Sequence, residues 1–211
     1  MRVPPSLPEV RPPKPLLPRE VERRLTPRQR QILDALQALL LRGRLADLTM
    51  AEIAARANCS LRTLYEIGPS KDALVLTVVD RRLHRIGRAA LEALDANMAP
   101  LKALRVYLGA VNEAVPNTVE LGRVFADLPG ADRLFDAHEA YVIAVIRSLL
   151  DRAVAAGEIG SVDTSAVAHV LGGLGREFCR PALLRASARS PKETADAISE
   201  ILLRGLRATV E

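Results

Sequence analysis

The sequence is poor in aromatic residues and in cysteine. It has no Trp, and Phe, Trp and Tyr together make up 3% of its 211 residues. The two cysteines, Cys59 and Cys179, lie far apart, so we expect reduced thiols in a cytosol rather than a disulfide framework. An apolar run of about 18 residues and a basic-then-apolar leader are both missing. We therefore expect a cytoplasmic protein with no membrane partner.

Runs of β-branched residues are also scarce. Ala, Leu and Arg dominate the composition, which favours helices over strands. The length is sufficient for one large domain or two modest ones. The sequence therefore predicts an all-α protein.

Recognisable enzyme motifs are missing as well. The three histidines lack metal-ligand spacing with cysteine or carboxylates, and no Ser or Cys stands in a nucleophile motif. Three glycines fall inside a predicted helix and do not follow a strand, which argues against a dinucleotide-binding loop: Gly172, Gly173 and Gly175. We expect no enzymatic activity, no cofactor and no metal.

Positive charge is concentrated in the first part of the chain. Residues 1–88 carry 17 Lys or Arg against 9 Asp or Glu, whereas residues 89–211 carry 13 against 16. A basic domain attracts polyanions, of which nucleic acid is the commonest. The alternative is that these positive charges are only solvated at the surface and have no binding function.

Seven of the fourteen prolines lie in residues 1–25. Proline cannot sustain a helix, so this segment is expected to be a disordered or polyproline-like arm. Its basic residues either enter a DNA minor groove, as other arms do, or only solubilise the chain. They are Arg11, Lys14, Arg19, Arg23 and Arg24.

Three helices are predicted next, within residues 26–72. Thr26-Pro27 starts the first, which is expected to end at Gly43, and Thr49 begins a capping box with Glu52 for the second. Ser60 caps the third, which Gly68-Pro69 ends. The last two helices are joined by a turn of about four residues, which is the helix-turn-helix arrangement. Cys59 lies in that turn, as a buried structural thiol or as a redox switch.

The third of these helices has the length that fits a DNA major groove. Leu64 is expected to point to the core. The residues then left to face outward are Leu61, Arg62, Thr63, Tyr65 and Glu66.

An ordered set of motifs resembles the DNA-binding domain of the TetR/AcrR family of transcriptional regulators. The set covers about 50 residues and runs through the following stretches: Gln31-Ile-Leu-Asp-Ala, Arg42-Gly43, Leu48-Thr49-Met-Ala-Glu-Ile-Ala54, Ala57-Asn-Cys-Ser60, Thr63-Leu-Tyr65 and Pro69-Ser-Lys-Asp-Ala-Leu74. The resemblance implies double-stranded DNA as a partner and a ligand-binding and dimerisation domain in residues 73–211.

Specific DNA contacts are expected from this resemblance. Arg62 and Thr63 are the candidates for base reading, and Lys71 and Tyr65 for phosphate, sugar or a thymine methyl. Thr49 and Ser60 cap helices and reach phosphate, Leu61 offers an apolar contact, and Arg44 approaches the flanking backbone. Each has a purely structural or solvated role as its alternative.

Two positions depart from the family pattern. Ile67 stands where the family usually has His or Tyr, so one phosphate contact is expected to be missing. Gly68 stands where Phe is usual, and the space beside it is expected to be filled by Ile67 or a side chain of the first helix. Asn58 replaces a usual Gly in the turn, where it tolerates the left-handed conformation.

The second half divides into helices at its prolines and glycines. The predicted helices span residues 71–94, 100–115, 117–128, 131–156, 163–186 and 190–208. In the family the last two long helices form a four-helix bundle with a second subunit, so a homodimer is expected here. Polar and aromatic residues on apolar helices are the candidates for binding an unknown small-molecule effector: Tyr107, Phe125, His138, Tyr141, His169 and Phe178.

The leading hypothesis is therefore a ligand-responsive repressor that binds a palindromic operator as a dimer. Ligand binding would move the helix that begins at Lys71 like a lever and spread the recognition helices. One alternative is a DNA-binding protein of chromosome organisation without a ligand, which a filled second half would favour. Another is a small-molecule- or partner-binding module that has lost DNA binding.

Overall fold

The computed structural model describes residues 10–42, 45, 47–115, 128–178, 180, 182–183 and 188–207. Within these residues every regular element is helical, which confirms the all-α prediction. A helix-turn-helix domain comes first and a larger helical domain follows.

Helix α1, Arg19–Arg24, lies in the segment that was expected to be a disordered or polyproline-like arm. The difference has a local cause. Pro18 is the last proline of the arm and stands at the N-cap, where its missing N–H costs nothing. Glu20 and Glu22 fall in the first turn and basic residues in the last, which complements the helix dipole.

Helices α2, Pro27–Leu41, α3, Met50–Arg56, and α4, Leu61–Ile67, begin where the sequence predicted. Thr26 and Thr49 each form a capping box, with Gln29 and Glu52 as the reciprocal partners. Gly43, the expected end of the first predicted helix, lies outside the described residues.

Helix α5, Lys71–Glu92, belongs to two hydrophobic cores. Leu74, Val75, Val78 and Val79 pack with α2–α4 in the first core. Ala90, near the other end, packs in the second core with the C-terminal helices. The two domains therefore share this helix, and the first core extends past the boundary at residue 72 that the motifs suggested.

The second domain contains α6, Pro100–Val111, a 3-10 turn at Asn112–Ala114, α7, Ala131–Ala155, α8, Thr164–Glu177, and α9, Pro191–Arg207. Buried Asn112 donates to Oδ1 of Asp196 at 2.7 Å and so joins the end of α6 to α9. The predicted helix over residues 163–186 ends at Glu177, and the one predicted at 117–128 lies outside the described residues except for Leu128.

Helices α7 and α8 approach each other closely at a glycine. A Cβ on Gly172 would lie 2.5 Å from Cγ1 of Ile143. A larger residue fits there only if the Ile143 side chain shifts or α8 moves away from α7. Among the helices described, none has the length and apolar character needed to cross a bilayer.

Candidate nucleic-acid interface and ligand cavity

The turn between α3 and α4 has the geometry of a helix-turn-helix. Asn58 adopts φ 51°, the left-handed conformation predicted for it. Its carbonyl accepts a hydrogen bond from the Arg28 guanidinium at the start of α2. Ser60 then caps α4, since its hydroxyl accepts from the Thr63 N–H at 3.1 Å. The orientation of α4 is therefore held from both sides of the turn.

The outward face of α4 carries large exposed side chains. Leu64 is fully buried in the first core, as predicted, whereas Leu61 is 44% exposed and Tyr65 is 51% exposed. This exposure rules out a core role for Tyr65. Leu61 and Tyr65 are four residues apart and share one face. An exposed apolar and aromatic pair on a short helix is available to contact another molecule.

Arg62 lies on the same surface and pairs with Glu66. Its Nε lies 3.2 Å from Oε1 of Glu66, and the two side chains are 89% and 57% exposed. An exposed pair of this kind contributes little to stability. The guanidinium can therefore leave Glu66 for a stronger partner at small cost.

The remaining predicted DNA residues that the structure describes lie at the starts of α3, α4 and α5 or within α4. The Thr49 hydroxyl accepts from the Glu52 N–H at 3.3 Å and the Ser60 hydroxyl from the Thr63 N–H, so both hydroxyls also serve as caps. Lys71 is the first residue of α5. Arg44 lies outside the described residues.

The two departures from the family motif have structural explanations. Ile67 is half-buried and packs against the first core, so it has moved from a surface role to a packing role. The space expected beside Gly68 is filled differently than predicted: a Cβ on Gly68 would lie 2.4 Å from the backbone N of Leu74. The backbone of α5 itself occupies the position.

The Cys59 thiol lies partly buried in the turn, against the first core. Burial raises its pKa, and the nearby Arg28 charge only partly offsets the effect. A thiol of this kind stays protonated at neutral pH, which favours the structural interpretation over the redox switch.

A cavity of about 450 Å³ lies between α5, α7 and the arm. Its lining is mostly apolar, and Arg19, Arg88 and Glu92 supply charge at its wall. This size and this mixture are typical of small-molecule sites in proteins.

Only some of the predicted effector residues line this cavity; the others lie in the core, on the surface or outside the described residues. His138 and Tyr141 line it. Tyr107 is a fully buried core residue, and burial raises the pKa of its hydroxyl. His169 is exposed on α8, and its Nδ1 lies 2.9 Å from the Ser165 carbonyl.

Phe178 packs partly buried on the second core and does not line the cavity. Phe125 lies outside the described residues. The residues of α5 that line the cavity were missed by the sequence prediction: Leu83, His84, Ile86, Gly87, Arg88, Leu91 and Glu92. The signal that could have identified this face is the Asp80–His84 pair, four residues apart on one helix.

A buried polar cluster lies beside the cavity. Oδ1 of Asp80 lies 2.9 Å from Nε2 of His138 and 3.4 Å from Nε2 of His84. The expectation that the histidines lack spacing with a carboxylate therefore overlooked Asp80. The His84 contact does not have hydrogen-bond geometry, and its Nε2 is buried without a partner. Burial lowers the pKa of His84, against the opposing effect of Asp80.

The arm closes one side of this region. The Leu16 N–H donates to Oδ2 of Asp80 at 2.7 Å. Arg81 of α5 pairs with Glu22 of α1 at 3.2 Å. Val10, Pro12 and Pro13 line the cavity. Residues 10–24 are thus docked on α5, so a role for them in the minor groove would require these contacts to break.

Comparisons with known proteins agree with this architecture. The chain is 29% identical over 137 residues to the HTH-type transcriptional repressor KstR of Mycobacterium tuberculosis, a match that covers 62% of this chain and 60% of that protein. The repressor KstR of Rhodococcus jostii is 28% identical over 125 residues, or 59% of this chain and 57% of that protein. The matched segment thus spans about 60% of the length of these relatives.

Solved structures share the fold at lower identity. The TetR family transcriptional regulator PfmR from Thermus thermophilus is 22% identical with a TM-score of 0.56, covering 83% of this chain and 98% of that one. A TetR transcription regulator from Haloarcula marismortui is 20% identical with a TM-score of 0.67, covering 85% and 97%. No family model matches the chain. The resemblance that the motifs predicted is confirmed by these similarities.

Proposed function

Because the chain resembles the TetR family of regulators in its fold and in the motifs of its first domain, we propose that it is a dimeric, ligand-responsive transcriptional repressor. The single observation that carries the proposal is the exposed face of α4, with Leu61, Arg62 and Tyr65 on a short helix whose position is fixed by caps. Relatives named as transcriptional repressors support the same reading.

In this proposal α4 lies in the major groove. Arg62 leaves Glu66 and takes guanine O6 and N7, which is worth about 1–3 kcal/mol of discrimination. Tyr65 and Leu61 contact sugar or thymine methyl groups. Thr49, Ser60 and Lys71, at the starts of α3, α4 and α5, supply contacts to the DNA backbone, which position the domain without reading sequence. Arg44 would add a flanking contact.

We propose that the dimer forms through α8 and α9. Val170 on α8 is 54% exposed and Ile201 on α9 is 67% exposed, and few large apolar side chains of the described residues are as exposed. Small residues flank each of them at helical spacing, at Ala166 and Gly173 on α8 and at Ala197 and Gly205 on α9. Small neighbours let the helices of a second subunit approach closely. Two copies of α4 would then read the two halves of a palindrome.

The effector site in this proposal is the cavity between α5, α7 and the arm. Its apolar wall and its two arginines fit a mainly apolar molecule with an acidic group. His138 and Tyr141 would contact this ligand. A ligand that displaces α5 would shift α4 with it, because the first core packs directly on α5. A coupling of about 1–3 kcal/mol is enough to change operator occupancy.

The same observations argue against the alternatives. A ligand-free protein of chromosome organisation was expected to have a filled second half, whereas a cavity of about 450 Å³ is present. A module that had lost DNA binding would not need α4 and α5 to meet so closely that a Cβ added to Gly68 would lie 2.4 Å from the backbone N of Leu74.

Selection of bound duplexes from a random pool tests the proposal. The expected product is a palindrome whose half-sites lie about one helical turn apart. The variant Arg62→Ala should lose preference at one position in each half-site. A matched control is Arg133→Ala, which removes an exposed arginine from α7. A pool that shows no enrichment with the full-length protein would refute the proposal.

A further inference from the structure

Three side chains from two helices converge beside the cavity. Asp80 and His84 are four residues apart on α5, so they share one face of the helix. His138 approaches from α7. One carboxylate oxygen and two imidazole nitrogens lie within 4.8 Å of one another.

One atom of this cluster has no partner. His84 Nε2 is buried and makes no hydrogen bond, although Oδ1 of Asp80 is only 3.4 Å away. Leaving a buried polar atom unsatisfied costs about 1–3 kcal/mol, so such atoms usually mark a missing group. Asp80, in contrast, is fixed: its Oδ2 accepts the Leu16 N–H, which leaves Oδ1 directed at both imidazoles.

We propose that Asp80, His84 and His138 bind a divalent transition-metal ion of the zinc class. Two imidazole nitrogens and one carboxylate oxygen form a donor set that suits such ions. His138 would bind through Nε2 in its Nδ1–H tautomer, in exchange for its present hydrogen bond to Asp80. The Leu16 N–H acts as the outer-shell partner that orients the carboxylate.

The surrounding charge restricts the kind of ion. Arg19 and Arg88 lie close enough to His84 to disfavour positive charge on it. A hard cation such as Ca²⁺ also needs six to eight oxygen ligands, which three donors of this type do not offer. A zinc-class ion forms strong bonds to imidazole, which offset the arginine charges, and it needs only four ligands.

The fourth coordination position would face the cavity. His84 and His138 both line the cavity, whereas Asp80 lies behind them. A water molecule or an acidic ligand would complete a tetrahedral site from that side. The site itself stands on these three residues and does not depend on DNA binding.

The test is calorimetric titration of the full-length protein with ZnCl₂ alone. The expected result is one site per chain. His84→Gln and His138→Gln should each lower zinc affinity by at least about 100-fold, beyond the usual effect of losing an outer-shell partner. His169→Gln, which changes the remaining histidine, is the matched control and should leave the affinity unchanged.

Cobalt substitution in the unaltered protein tests the ligands without any variant. Co²⁺ bound by nitrogen and oxygen should give visible bands and no thiolate charge-transfer band. The proposal is overturned if micromolar zinc does not bind, if the thiolate band appears, or if binding survives both substitutions in variants of normal helical content.

Discussion

Gly68 and Leu74 are in backbone contact: a Cβ added to Gly68 would lie 2.4 Å from the Leu74 N and 2.5 Å from its Cα. The contact sets the distance between the end of α4 and the first turn of α5. Since backbone atoms cannot move aside as the tip of a side chain can, any side chain at residue 68 must displace one helix.

We therefore expect Gly68→Ala to destabilise the protein by about 3 kcal/mol, the upper part of the range for overpacked sites. Urea unfolding followed by circular dichroism measures the change. The matched control is Gly109→Ala, because a Cβ on Gly109 in α6 meets nothing within 4 Å. It should stabilise the protein by up to about 1 kcal/mol. Equal effects of the two substitutions would contradict this account of Gly68.

Deleting the Leu16 N–H should detach the arm from α5. Leu16→Pro removes the donor to Asp80 and is expected to cost about 1–3 kcal/mol. It should also make residues 10–24 sensitive to protease. The control Leu16→Ala keeps the N–H and removes a side chain that is 51% exposed, so its effect should stay within about 0.5 kcal/mol. If Leu16→Ala is as damaging as Leu16→Pro, the hydrogen bond is not what attaches the arm.

A charge on the exposed apolar face of α9 should produce monomers. Ile201→Asp would bury an unpaired carboxylate in the proposed subunit interface, which costs far more than an exposed one. Sedimentation at several concentrations measures the association. Val21→Asp serves as the control, because Val21 is also exposed, at 45%, but lies on α1. A dimer that persists in Ile201→Asp would place the interface elsewhere.

Cys59 should react slowly with alkylating reagents. Burial raises the pKa of its thiol, so the thiolate fraction at neutral pH is below that of free cysteine. The rate should increase as pH rises through that raised pKa. Peptide mass spectrometry after iodoacetamide treatment follows Cys59 separately from Cys179. A rate above that of free cysteine at pH 7 would restore the redox-switch hypothesis.

The starts of helices were predictable from sequence wherever a capping residue precedes the helix. Thr26, Thr49 and Ser60 marked three starts correctly, because a cap satisfies backbone N–H groups of its own helix and needs no distant partner. The left-handed backbone of Asn58 was predictable for the same reason, since asparagine tolerates this conformation without help from a distant residue. The outward placement of Tyr65 followed from the helical period once Leu64 was assigned to the core.

The candidate cavity was less predictable, because its residues meet only through tertiary packing. Tyr107 and Tyr141 look alike in sequence, yet the first is enclosed in the core and the second lines the cavity. Asp80 and His84 carried a usable signal, but their third partner, His138, lies on another helix. The docking of the arm includes a hydrogen bond from the backbone N–H of Leu16 to Asp80, which no side-chain pattern reveals.

Because α5 is one continuous helix, a substitution in its cavity-lining half can affect its contacts with α4 at the other end. A single helix of 22 residues forms part of the wall of the cavity at one end and anchors α4 at the other. If the cavity binds the effector as proposed, a substitution of α5 on that wall changes both ligand specificity and the support of α4 in the ligand-free protein. In the proposed mechanism, changes of ligand specificity should therefore begin at Tyr141 and Val142, which line the cavity from α7 and not from α5.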